Sequence, residues 1–137
     1  MLAIGYWLLA SSLITSNFII MRNFRKLNVW ILGMEIVKDI YLLTKDLPAY
    51  EQYGLTNQIR RAAISIPSNI AEGSSRKTNP DFARFLEVAL GSSFEIETQL
   101  LIANELNYLK IEQTSDVLNK LSILQKQVNA LITKVRS

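Results

Sequence analysis

The 137-residue chain contains neither cysteine nor histidine. Without cysteine there are no disulfides and no thiolate metal sites. Without histidine it lacks the usual general base near neutral pH and the commonest metal ligand. That removes Ser-His-Asp triads, zinc-hydrolase centres and histidine-carboxylate iron sites. Carboxylates, lysines and tyrosines remain, but no spacing organises them into a catalytic set, so neither an enzyme activity nor a cofactor is expected. Glycine and proline are scarce, at five and three residues. No stretch alternates with period two for long enough to suggest a sheet.

Charge is absent from the first twenty residues. Met1 to Ile20 is just long enough to span a bilayer. No basic segment precedes the apolar run, as it does in a secretory signal. Arg22, Arg25 and Lys26 follow it, and the positive-inside tendency would keep the remaining chain cytoplasmic. The reading adopted is that Met21 is the true start, with residues 1–20 an extension from upstream translation and residues 21–137 the domain. A membrane anchor is the competing expectation.

Apolar residues make up 49% of the chain, enough for one domain to bury a core without staples. The net charge of +3 permits contact with nucleic acid or acidic lipid and demands neither. Helical spacing predicts a first helix over Leu27–Leu47. Trp30, Met34, Val37 and Tyr41 form one seam, and Val29, Leu32, Ile36, Ile40, Leu43 and Leu47 another, their centres about 130° apart at 100° per residue. A monomeric four-helix bundle cannot cover so wide an apolar surface on one helix, so self-association is expected.

After Pro48 and a short loop, a second helix from Leu55 carries Ile59, Ala62, Ala63, Ile66 and Ile70 on one stripe, with Thr56 as its expected cap. Pro67 lies inside it, where a proline costs about 3 kcal/mol and kinks the axis. Ser65, Ser68 and Asn69 are placed to satisfy carbonyls that the proline frees. Gly73 is expected at the helix end in the left-handed conformation. Asn79-Pro80-Asp81 reads as the next start, with Asn79 as cap. The third helix runs from about Pro80 to Leu106, and Gly91-Ser92-Ser93 offers a neighbour close approach. Asn107-Tyr108 closes it. The fourth helix, with Thr114 as expected cap, has a heptad through Val117, Leu121, Leu124, Val128, Leu131 and Val135. Four helices joined by short loops predict an all-α, up-down-up-down four-helix bundle.

Arg60, Arg61, Arg76, Lys77 and Arg84 form the main basic group, expected toward one half of the bundle. Several such side chains together give sequence-independent phosphate affinity that falls with salt. The competing reading pairs Arg60 or Arg61 with Glu72, Glu95 or Glu97. Those glutamates lack the Glu-x-x-His pattern of a di-iron bundle, so no metal is expected. Lys77-Thr78 after Gly73 has the wrong spacing for a phosphate loop.

Several longer motifs stand beside these patterns. They are Phe24-Arg-Lys-Leu-Asn-Val-Trp30, the ungapped run from Tyr53 to Gly73 that includes Pro67, Asn69 and Glu72, Phe85-Leu86, Ala89-Leu-Gly-Ser-Ser93, Glu95-Ile-Glu97 and Asn107-Tyr108. In these the chain resembles the four-helix-bundle proteins related to those encoded in intervening sequences of bacterial 23S rRNA, from about Phe24 to the C-terminus. The resemblance implies a homopentameric ring with a central channel. One relative is the accessory protein of diversity-generating retroelements, a basic pentameric barrel that binds reverse transcriptase and nucleic acid. Carried over, the candidate contacts are Arg60, Arg61, Arg76, Lys77 and Arg84. The resulting expectation is a cytoplasmic, non-enzymatic homopentamer that binds RNA through basic residues, with a reverse transcriptase-like protein as a second candidate partner. The alternative is a protein-interaction scaffold without a nucleic-acid role, membrane-tethered if residues 1–20 are retained.

Overall fold

A computed structural model describes residues 22–137. The proposed extension therefore lies outside the described residues. Four helices follow a short 3-10 turn at Phe24–Lys26: α1 (Asn28–Leu43), α2 (Leu55–Ser74), α3 (Asn79–Glu105) and α4 (Ile111–Arg136). Among the described residues there is no strand, and no helix is long and apolar enough to cross a membrane.

Apolar side chains at three-and-four spacing drive these helices together. Ile36 and Ile40 from α1, Ile59, Ile66 and Ile70 from α2, Leu86, Ile96 and Leu100 from α3, and Leu121, Leu124 and Val128 from α4 are all fully buried. Polar contacts fix the pairing. Arg60 donates to Thr44 between α2 and the end of α1, while Ile66 and Pro67 pack beside Gly33. Ser65 and Ser92 share a hydrogen bond of 2.8 Å between α2 and α3. Gln125 donates to Glu97, and Arg136 to Glu87, between α4 and α3. Lys120 donates to Asp39, and Gln113 to Asp46, between α4 and the α1 segment.

The two seams on α1 separate by depth. Val29, Ile36, Ile40 and Leu47 enter the core, whereas Met34 and Tyr41 are exposed and Trp30 and Val37 half-buried. The α4 heptad is buried as expected, with Ile132 also in the core and Leu131 and Val135 packed at its margin.

Four local expectations are corrected. Thr56 is buried inside α2, and Glu51 supplies the cap instead, its Oε1 accepting from the Leu55 N–H at 3.1 Å. Thr78 caps α3 by accepting from the Asp81 N–H at 3.2 Å, which leaves Asn79 as the first helical residue. Thr114 lies within α4, fully buried and bonded to Asn104; the Gln113 side chain accepts from Lys110 N–H at the start. Gly73 has no positive φ and lies inside α2, where a Cβ would stand 2.6 Å from Phe85 Cβ. Its role is close approach of α3, not left-handed geometry.

Gly91, expected to admit a neighbour, is open: a Cβ there meets nothing within 4 Å. Ser92 and Ser93 are the buried residues of that trio. Among the described residues, the left-handed one is Asn107, at φ 59°. Asn107 N–H donates to Asn104 O and Tyr108 N–H to Ala103 O, the two bonds of a Schellman closure.

Candidate nucleic-acid interface

The five basic residues singled out in the sequence do not form one group. Arg60 lies early in α2, where its Nε donates to Thr44 Oγ1 at 2.9 Å and its guanidinium covers the Tyr41 ring at 4.6 Å. Arg61, the next residue, is exposed and in no ion pair among the described residues. Neither pairs with Glu72, Glu95 or Glu97. Sixteen residues separate Arg60 from Arg76, about 24 Å at the helical rise.

Arg76, Lys77 and Arg84 sit together around the turn joining α2 to α3. The Arg76 guanidinium stacks on Phe85 at 4.6 Å and reaches Glu72 Oε1 at 3.4 Å, while its Nε is buried without a partner. Arg84 pairs with Asp81 at 2.6 Å, both on the exposed first turns of α3. Lys77 is exposed with no such pairing. Exposed pairs of this kind contribute about 0–1 kcal/mol, so a phosphate can compete for Arg84. Arg76 is held more firmly by ring and carboxylate together.

The fold brings further basic residues to the same end. Arg22 donates to the Arg76 carbonyl at 3.3 Å and to Asn79 Oδ1, with its guanidinium 4.4 Å from the Phe82 ring centroid. Burial lowers its pKa, yet it remains a cation at any ordinary pH. Arg25 and Lys26 are exposed in the turn before α1. At the end of α4, Arg136 grips Glu87 through both terminal nitrogens, at 3.2 and 2.7 Å. That bond holds the Glu87 carboxyl below its ordinary pKa and raises that of Arg136. A shallow groove of about 420 Å³ is lined by Lys26 and Lys134, with Leu27, Val29, Ala130 and Leu131 among its other residues.

Charge is therefore sorted along the bundle. The start of α1, the α2–α3 turn and the end of α4 carry eight basic residues against Glu72, Asp81 and Glu87. The opposite end carries Asp46, Glu51, Glu105, Glu112 and Asp116 against Lys45 and Lys110. A net charge of +3 conceals this division. The sequence reading missed Arg22, Arg25, Lys26, Lys134 and Arg136 as members of the group. Their signal was present: both termini of the helical domain are basic, and Lys26 and Lys134 line one groove while Arg22 bonds the Arg76 carbonyl.

The motif residues of α2 serve packing. Pro67 is buried against Gly33, where a glycine Cβ would lie 3.6 Å from its Cβ and Cδ. Asn69 donates to both the carbonyl and the hydroxyl of Ser65, which in turn bonds Ser92. Glu72 is exposed beside Arg76. Among the described residues, no group of carboxylates is arranged to hold a metal ion.

Comparison with known proteins agrees with this architecture. The chain is similar to a crystal structure of a protein of unknown function from the S23 ribosomal protein family of Bacteroides thetaiotaomicron. The two share 28% identity and a TM-score of 0.70, over 76% of this chain and 97% of that one. No curated protein matches. The 23S rRNA-intervening sequence protein family matches over residues 25–130, a span that holds the Pro67 motif, the Ser65–Ser92 bridge and most of the basic end, and the chain belongs to that family.

Proposed function

We propose that this protein is a cytoplasmic, non-enzymatic homo-oligomer, a pentameric ring of up-down-up-down bundles, that binds RNA at its basic end. The observation that carries the reading is the gathering of eight basic residues from three separated stretches onto one end of the helical domain. Phosphate recognition needs only such a cluster of accessible cations, with Lys77, Arg84, Arg25 and Lys26 as first contacts and Arg22 and Arg76 behind them. Arg60 and Arg61 fall outside the proposed surface. The exposed apolar residues of α1, among them Met34, Tyr41 and Leu42, support self-association.

Titration with a single-stranded RNA at two salt concentrations tests the RNA reading. Affinity should fall steeply with salt, by about 0.7 in log–log slope for each phosphate neutralised. No binding at low salt would overturn it.

A second reading, a scaffold for a protein partner, is favoured by the prior engagement of Arg76, Arg84 and Arg136 with acids of the same chain. Capture of a partner that survives nuclease treatment would support it. In either case Pro67 is proposed to bend α2. Pro67→Ala should straighten the helix and change both oligomer size and thermal midpoint; an unchanged pair of values would refute the bend.

A further inference from the structure

Among the described residues, three large apolar side chains stand out from the surface further than any other. They are Tyr53, Tyr50 and Ile111, at 89%, 77% and 72% exposed, and every other is at 55% or below. All three belong to one end of the bundle. Tyr50 and Tyr53 are in the connector between α1 and α2, and Ile111 opens α4 just after the α3–α4 turn. Hydrogen bonds tie connector and turn together. The Tyr50 and Tyr108 hydroxyls are 3.3 Å apart with their rings edge to face at 6.1 Å, and Gln113 donates to Asp46 at 2.9 Å. Leu106, also exposed, lies two residues before Tyr108.

Carboxylates surround this patch. Asp46, Glu51, Glu105, Glu112 and Asp116 stand there against Lys45 and Lys110. Glu105 and Glu112 are exposed and in no ion pair among the described residues. An exposed apolar patch rimmed by polar groups marks an interaction site, and the sign of the rim selects the occupant. Nucleic acid and an anionic membrane surface are repelled by it. A lysine or arginine is drawn to the carboxylates and can also lie over an exposed tyrosine ring. Tyrosine is suited to such contacts because only two torsions must be ordered, and the Tyr50 ring is already held by Tyr108.

We infer that this end docks a cationic segment of another protein, one that interleaves lysine or arginine with apolar side chains. Tyr53, Tyr50 and Ile111 supply the contact area, while Glu105 and Glu112 receive the positive charges. The carboxylates set specificity and rate of encounter, and the rings and Ile111 hold the segment once it arrives. The RNA reading uses the opposite end. Helix α4, 26 residues from Ile111 to Arg136, separates the two by about 39 Å at the helical rise. Both partners can therefore be held at once.

The test measures fluorescence anisotropy of labelled peptides against the full-length protein. One peptide alternates leucine with arginine, a second replaces arginine by glutamate, and a third replaces leucine by glycine. The leucine–arginine peptide should bind, and the other two about tenfold or more weaker. Tyr53→Ala and Ile111→Ala should each weaken that binding by about tenfold, as loss of an interface anchor does, with RNA affinity and helix content by circular dichroism unchanged. Phe94→Ala, at a half-exposed apolar site on the side of α3, should leave it unchanged. No binding of the leucine–arginine peptide, equal binding of the glycine–arginine one, or an equal loss in Phe94→Ala would overturn the assignment. So would a wild type whose mass by light scattering grows with concentration and stops growing in Tyr53→Ala, which would give this end to a second copy of the chain. Loss of RNA binding alone would overturn the RNA reading and leave this one standing.

Discussion

Gly73 of α2 faces Phe85 of α3 so closely that a glycine Cβ would stand 2.6 Å from the Phe85 Cβ. Phe82 is nearly as near, its Cδ1 at 3.1 Å. Neither phenylalanine atom is the free end of a flexible chain, so a methyl group forces the helices apart. Gly73→Ala should cost about 1–3 kcal/mol, as overpacking does in other cores. Gly91→Ala, at an exposed helical site where nothing lies within 4 Å, should stabilise by about 0.5–1 kcal/mol. Urea unfolding of the two variants beside wild type measures both signs at once.

The contrast between those glycines shows where sequence reading stops. Helix existence and the buried stripes were legible because apolar spacing carries them: Val117, Leu121, Leu124 and Val128 are all buried. A glycine near a helix end, however, serves left-handed geometry or close approach equally well, and only the neighbouring helix decides. The caps went astray for a similar reason. Glu51 caps α2 from four residues upstream, and Thr78 takes a role that the adjacent Asn-Pro pair also fits. The basic end was legible only in part, because Arg22 and Arg76 are 54 positions apart yet joined by a hydrogen bond.

Asn69, Ser65 and Ser92 form a polar chain across the α2–α3 contact. Asn69→Ala removes the donor to both Ser65 oxygens and should destabilise by about 0.5–1.5 kcal/mol for each bond removed. Combining it with Ser92→Ala should give less than the sum of the two single effects, since both act through Ser65. Thermal or urea unfolding of the four proteins closes the cycle. Strict additivity would show that the chain is not a unit.

Lys77→Glu and Arg84→Glu should each weaken RNA binding and lower the salt slope by about 0.7 for every phosphate that is no longer neutralised. Arg60→Gln, remote from that end and already engaged by Thr44 and Tyr41, should leave the slope unchanged. Fluorescence anisotropy at two salt concentrations separates these outcomes.

Glu87 should act as a brake on the basic end. Its pKa is depressed first by the hydrogen bond from Arg136. The stabilisation from that pair is accordingly present above the ordinary carboxylate pKa and disappears as pH falls through the lowered value. Glu87→Gln should tighten RNA binding at neutral pH by freeing Arg136 and steepen the salt slope. Fold stability should hardly change, because the pair is exposed. Affinity equal to that of wild type would show that Arg136 takes no part.

The carboxylate of Glu51 has two separate occupations. One oxygen receives the Leu55 amide four residues away, and the other receives the Tyr108 hydroxyl from 57 residues away, at 3.1 Å in each case. Tyr50 donates to the Tyr108 hydroxyl in turn, and that bond, followed by desolvation and Glu51, holds the phenol in its protonated form. During folding the first bond closes a short loop and forms with the helix it starts. The second must wait until α2 and α3 have packed against each other. The same side chain thus records two moments of assembly. Amide exchange at Leu55 would report the early one, and the ionisation of Tyr108 the late one.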